Sequence, residues 1–332
     1  MRDKSGIVML FITSLLCICV IVFGAFYITD DEIIKTEQKI SEYYINTPSN
    51  ISSESTGEQG KAQEVIAEGT VLGKISEQFI SPYGANTSYN RVYIKNKVGI
   101  DLDIPALLSS KNPVKITKNS EPQVIIMHTH TTECYLKETR DYYTDTDLTR
   151  TRDTSYNMVA IGEIFTKKLN NAGIVTIHDT TEHDYPAYNG SYTRSAETVK
   201  KYLQKYPSIK VVIDLHRDSI GGSNSNRVKP IAEINGKKTA QVMLVMGCGE
   251  KIGGYDNWKQ NLTFAIKYQQ TLEVLYPGLC RATSFVSSRY NQNLTTGSIL
   301  LEVGTESNSF EEASRAAEYA SNALISYLNT LS

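Results

Sequence analysis

Two histidines and two glutamates stand just past three apolar runs, and their types suit metal-assisted hydrolysis. Residues 124–135 read V-I-I-M-H-T-H-T-T-E-C-Y, so an apolar run leads at once into His128, His130 and Glu133. Residues 209–219 read I-K-V-V-I-D-L-H-R-D-S and reach His216, while residues 298–309 read S-I-L-L-E-V-G-T-E-S-N-S and reach Glu302. The H-x-x-E spacing of His130 and Glu133 lets one short loop turn a nitrogen and an oxygen toward a shared point. With His216 they make a His2Glu set, three protein ligands for Zn²⁺ that leave a position for water. Such an ion brings the pKa of its water near ~7 and polarises a carbonyl. Amide hydrolysis also needs a carboxylate that is not a ligand, to take the proton and pass it to the leaving amine. Glu302 at the strand end is expected in that role, with Glu306 in the loop as its rival and a structural salt bridge as the bland alternative.

Any one histidine at a strand end is commonly a hydrogen-bonded core residue. Three strands that each deliver a metal-competent or acid/base group at the same end are a different matter, because ligands bind at the carboxyl ends of strands in open α/β sheets. Asp214 shares a strand face with His216 and is expected either to orient its ring or to cap a neighbouring turn. Arg152, Arg194 and Arg217 are expected as surface ion pairs, with substrate contact as the alternative.

The elements that must position these groups follow from hydrophobic period. Helical spacing marks residues 155–170, 195–206, 257–276 and 310–331, with Ser195 as a candidate cap. Strands are expected at 124–127, 174–177, 210–215 and 298–303, and Asn235-Gly236 signals a hairpin between 227–235 and 239–247. Strands alternating with helices predict a three-layer α/β domain over residues 123–332, with a mostly parallel sheet and helices on both faces. Residues 69–122 hold short strand-like pieces, at 91–95 and 99–104, and read as a small β lead-in.

The chain has 332 residues and a net charge of −2. Residues 6–29 carry no charge and are long enough to span a bilayer, which takes about 20 apolar residues. A retained transmembrane helix is expected there rather than a cleaved signal peptide. Arg2 and Lys4 precede it and Asp30, Asp31 and Glu32 follow it, so residues 1–5 form a cytoplasmic tail and the rest lies outside the cell membrane. Residues 30–68 are polar and read as a flexible stalk. No basic patch suggests nucleic acid. Cys134, Cys248 and Cys280 are scattered and form no disulfide framework.

The motifs H-T-H-T-T-E, D-L-H-R-D-S, Y-N-G-S-Y-T-R-S and L-L-E-V-G-T-E-S-N-S resemble the stage II sporulation protein P family over nearly the whole chain. They are more distantly similar to zinc N-acetylmuramoyl-L-alanine amidases. The resemblance implies an amidase-like fold and a zinc-dependent peptidoglycan hydrolase acting during forespore engulfment. It implies cleavage of the amide between muramic acid and L-alanine, with endopeptidase activity on stem-peptide cross-links besides. It also implies a membrane complex with stage II sporulation proteins D, a lytic transglycosylase, and M. In the general amidases the ligand glutamate comes some way after the first histidine. Here that region, residues 151–158, has Asp153 and no glutamate. The carboxylate ligand is therefore assigned to Glu133, with Asp153 and Asp145 as alternatives, and His128 rivals His130. Two other classes compete: a cysteine hydrolase built on Cys134, and a non-catalytic wall-binding scaffold.

Overall fold

The computed structural model describes residues 69–221, 226–251 and 253–332. The expected cytoplasmic tail, transmembrane helix and stalk, residues 1–68, lie outside the described residues. Among those described, no helix is long and apolar enough to cross a membrane.

The strands in chain order are β1 (Val71–Gln78), β2 (Thr87–Tyr89), β3 (Val92–Asn96), β4 (Val124–Met127), β5 (Tyr142–Thr144), β6 (Thr176–His178), β7 (Val211–Asp218), β8 (Arg227–Ile234), β9 (Lys237–Ala240), β10 (Val242–Gly247), β11 (Thr283–Val286) and β12 (Gly297–Thr305). The α-helices are α1 (Ile104–Ser109), α2 (Met158–Asn171), α3 (Ser191–Lys205), α4 (Trp258–Leu275) and α5 (Phe310–Asn329). They build a mixed α/β domain around an eight-stranded sheet of order β2-β3-β11-β10-β12-β7-β4-β6. Its neighbours pair in parallel except at β2–β3 and β10–β12. A second, four-stranded sheet has the order β5-β1-β8-β9.

Side-chain alternation divides the large sheet into two unlike faces. Val124, Ile126, Ile213, Leu215, Leu301 and Val303 are buried on one face, in a core that also takes in Phe165 of α2, Phe264 of α4 and Leu324 of α5. Each such side chain contributes roughly 1.5–3 kcal/mol by leaving water. Ile125, Met127 and Val212 point the other way and meet Val199 and Tyr202 of α3. Asp214, His216 and Asp218 continue that second face along β7, and Glu302 joins it from β12, in register with His216.

α5 starts where Ser309 and Glu312 form a capping box, a device worth about 0.5–2 kcal/mol. Lys229 of β8 reaches Glu312 in a buried pair at 2.9 Å, which ties the small sheet to this helix.

Three local expectations change. The second arm of the hairpin breaks at Gln241, so β9 stays in the small sheet while β10 enters the large one. Gln241 holds the crossing: its Nε2 donates to Ile80 O (3.1 Å) and Gly278 O (2.8 Å), and its Oε1 accepts from Ile80 N–H (2.8 Å). The piece at 99–104 is not a strand but the approach to α1, which Asp103 caps. Ser195 is not a cap. Gly190 occupies that position at φ 84°, a conformation that favours glycine, and α3 begins at Ser191.

Candidate active site

β4 is buried on both faces and ends at Met127, so the next residues turn over the carboxyl edge of the sheet. Thr129 fixes the turn. Its N–H donates to Asp214 Oδ1 (2.8 Å) and its hydroxyl to Asp214 Oδ2 (2.7 Å), while the Ser195 hydroxyl lies 2.8 Å from the Thr129 oxygen. Ser195, Thr129 and Asp214 thereby link α3, the loop and β7.

The alternating chain sends His128 and His130 to different places. His128 Nδ1–H donates to Leu215 O (3.2 Å), which leaves Nε2 to accept from His178 Nε2–H (3.0 Å). Both rings press on Gly162 of α2, where an added Cβ would lie 2.6 Å from His128 Nε2 and still nearer His178. Burial pushes His128 down to about 3, with His178 adding to the effect.

His130 enters the other cluster. Its ring stacks on Tyr188 at 4.5 Å between centroids and meets His216 edge-on at 5.1 Å. Its Nδ1 is buried without a hydrogen-bond partner. Burial, followed by the His216 charge, lowers its pKa to about 4.

Glu133 Oε2 lies 3.4 Å from His216 Nδ1 and accepts from the Arg217 backbone N–H at 3.2 Å. Its Oε1 faces Arg150 Nη2 at 3.2 Å and Arg217 Nη1 at 3.7 Å. Burial alone would raise this carboxyl, but the Arg217 charge and His216 outweigh it and hold Glu133 at about 2. His216 Nε2 lies 2.9 Å from Asp214 Oδ1, off the line of a good hydrogen bond. Burial would lower His216, yet Asp214 and Glu133 raise it well above the usual range.

Glu302 faces the same space from β12. Its Oε2 is sealed from water with no partner. Burial lifts it to about 8; the His216 charge works against the rise, and Asp218 and Glu133 add to it. A carboxyl near neutrality can both take and give a proton, as an acid–base group must.

His130, Glu133, His216 and Glu302 thus share one side of the sheet. The alternative carboxylates do not join them. Asp153 is exposed and accepts from Ser155 N–H (3.0 Å) and hydroxyl (2.6 Å), and Asp145 accepts from Thr70 N–H (2.9 Å). Glu306 is the exception: one oxygen takes the Ser219 hydroxyl at 3.0 Å, while the other, like that of Glu302, is buried without a partner, and its charge acts on Arg217. Burial pushes the Cys134 thiol up to about 11, and its S–H donates to Leu148 O at 3.1 Å. Of the three arginines, Arg152 makes an exposed pair with Glu182 (2.8 Å). Arg194 instead donates to His183 O (2.6 Å) and Asn189 O (3.1 Å). Arg217 is not at the surface: it is buried behind Glu133, where a β-strand end turns its side chain inward.

Nothing in the local pattern points to Arg150, and only the Y-N-G-S-Y run hints at Tyr188. Arg150 bridges Glu133 and Asp184 (2.6 Å) and lies over the Tyr188 ring at 4.7 Å.

Among the described residues, no group of three or more His, Cys, Asp and Glu side chains stands in metal-holding geometry. The chemistry of the donor set nevertheless fits Zn²⁺. Two ligands on a tetrahedral ion at about 2.0–2.1 Å are separated by about 3.4 Å, and that is the His216 Nδ1 to Glu133 Oε2 distance, 3.4 Å. The buried, partnerless His130 Nδ1 is the third candidate donor, and it does not stand with the other two in ligand geometry.

A model of the family "Stage II sporulation protein P" matches residues 27–325. The stage II sporulation protein P of Bacillus subtilis (strain 168) is 31% identical over 225 residues, covering 64% of this chain and 53% of that protein. The chain therefore spans about half the length of that curated relative. Among solved structures, an N-acetylmuramoyl-L-alanine amidase from Clostridium difficile 630 is 14% identical, with a TM-score of 0.36 over 64% of this chain and 100% of its own. The CwlD amidase from Clostridioides difficile, solved in complex with the GerS lipoprotein, is 11% identical, with a TM-score of 0.38 over 63% and 99%.

Proposed function

Since the chain belongs to the stage II sporulation protein P family, we propose that it is a zinc-dependent peptidoglycan hydrolase that cleaves the N-acetylmuramoyl-L-alanine amide during forespore engulfment. Activity on stem-peptide cross-links is included in the proposal. One observation carries it: the partnerless His130 Nδ1 and the His216–Glu133 edge stand beside Glu302, a carboxyl raised toward neutrality.

In this reading His130, Glu133 and His216 hold Zn²⁺, which supplies an activated water and a polarised carbonyl. The protein's own groups do the rest. Asp214, fixed by Thr129, holds the His216 ring so that Nδ1 faces the ligand space. Arg150 and Arg217 keep Glu133 ionised, as a ligand carboxylate must be. Glu302 takes the proton of the attacking water and delivers it to the leaving amine, so one carboxyl serves both halves of the reaction.

The test is zinc content by elemental analysis beside release of stem peptides from purified sacculi, before and after chelation. Wild type should hold near-stoichiometric zinc and lose activity on chelation, and His130→Ala and His216→Ala should lose both metal and activity. Full activity in a metal-free protein overturns the reading.

The cellular setting is part of the proposal. The uncharged residues 6–29 anchor the chain in the cell membrane with the hydrolase outside, in a complex with stage II sporulation proteins D and M. Release from membranes by a salt wash without detergent argues against the anchor.

A further inference from the structure

Beyond the proposed ligands, the same face of the sheet continues over β10, β11 and β3. Met243 is the register partner of Glu302, Val245 that of Ser284, and Ser284 that of Lys95. A cavity of about 480 Å³ opens there, lined by Lys95, Lys97, Asp218, Met243, Arg281 and Ser284 among others. Three cations face a single carboxylate in that lining.

Arg281 is the unusual member. It is only 5% exposed. Its Nη1 donates to Asp218 Oδ2 at 2.9 Å, and the Ser219 N–H holds Asp218 Oδ1 at 2.8 Å. Its Nε and Nη2 are buried with no partner. Those two N–H groups lie on one edge of the planar guanidinium, the edge that receives a carboxylate with two parallel hydrogen bonds. Buried donors are rarely left unmet unless something else meets them. Asp218 lies two residues past His216 on β7, so the fork is set beside the reacting groups on their own face.

We propose that Arg281, supported by Lys95 and Lys97, is a subsite for a carboxylate on the peptide arm of the substrate. This deepens the amide-hydrolase reading above and rests on it. The peptide on the amine side of the scissile bond carries side-chain and C-terminal carboxylates; the sugar side offers hydroxyls and an acetamide. Peptide therefore runs from Glu302 toward β3. Asp218 orients the fork, and the exposed lysines draw the anion in.

The experiment uses the full-length protein and two muramyl peptides that differ only in their stem carboxylates, free in one and amidated in the other. Wild type should favour the free form in kcat/KM. Arg281→Lys keeps a charge for Asp218 but has no fork. It should cut that preference by about tenfold or more, chiefly through KM, as expected for a charged bidentate contact. An unchanged preference, whatever the total rate, makes Arg281 a structural partner of Asp218 and overturns the subsite. Should Arg281→Lys fail to fold by circular dichroism, the double variant Lys95→Ala/Lys97→Ala, at exposed positions, must reduce the preference instead. If wild type cleaves neither peptide, the amide-hydrolase reading fails, and dissociation constants of the same two peptides decide the subsite. Tighter binding of the free form by wild type, lost in Arg281→Lys, keeps it; equal binding overturns it.

Discussion

Glu302 of β12 and His216 of β7 are register partners on adjacent parallel strands. Their side chains therefore leave the sheet on the same side, and no loop movement is needed to bring them together. The relationship separates their roles: His216 is engaged by Asp214 and Glu133, while Glu302 keeps one oxygen without a partner.

Glu302→Gln keeps the size of the side chain and cannot accept a proton. It should retain near-stoichiometric zinc and a folded domain, and lose about 10²–10⁴-fold in turnover, the usual contribution of general acid–base catalysis. Zinc analysis with sacculus digestion checks this. Loss of the metal would make Glu302 a ligand, and full activity with the metal in place would refute the mechanism.

Asp214→Asn tests orientation rather than chemistry. The amide can still accept from Thr129 but no longer supports His216 with a charge. Zinc affinity should fall about 10–100-fold, as when the partner of a ligating histidine is removed. Competition against a chromophoric chelator measures it, and unchanged affinity would leave Asp214 with a purely structural task.

Cys134→Ser should keep most of the activity. With its pKa near 11, the thiol has almost no thiolate at neutral pH. A loss of several orders of magnitude with zinc still bound would move the chemistry to sulfur.

His128 should cost the fold stability in acid over a defined window. His128 has a folded pKa near 3 against an ordinary 6.5. Between those values the unfolded chain holds a proton that the folded one does not, so the His128 contribution to stability is intact above pH ~6.5 and falls as pH drops, by up to about 1.4 kcal/mol per pH unit. Glu133, held near 2 when folded, adds a further loss once pH falls below its ordinary 4.5. Glu302 and His216, whose folded pKa values are raised, act in the opposite sense, so the test is a difference: between pH 6.5 and 5 the denaturant midpoint should lose more, or gain less, for wild type than for His128→Asn. Parallel slopes would contradict the assignment.

Much of this architecture was legible because buried parallel strands are continuous apolar runs. β4, β7 and β12 announce themselves that way, but only β4 ends where its polar residues begin: His216 and Glu302 lie inside their strands, which run on to Asp218 and Thr305. What stayed hidden depends on contacts distant in sequence. The small sheet pairs β1 with β8 across more than half the described chain, a relation no local pattern encodes. Arg150 follows no period and gains meaning only when a turn sets it against Glu133. Residues 99–104 alternate like a strand, yet lead into a helix fixed by Asp103. Ser195 has the type of a cap, but Gly190 starts the helix earlier and frees Ser195 to meet Thr129.

The place of β1 has a mechanical consequence. It is the first strand after residue 68 and lies between β5 and β8. Any tension transmitted along the chain from its N-terminal side enters at Val71 and runs along the strand axis. The hydrogen bonds to β8 cross that axis, so they bear the load together in shear rather than one at a time by peeling. Gln241, bonded to Ile80 just past β1 and to Gly278, then ties this end of the small sheet to the start of β10 in the large one. Under the proposed N-terminal anchor, a load on the chain meets the fold where it resists pulling along the ladder.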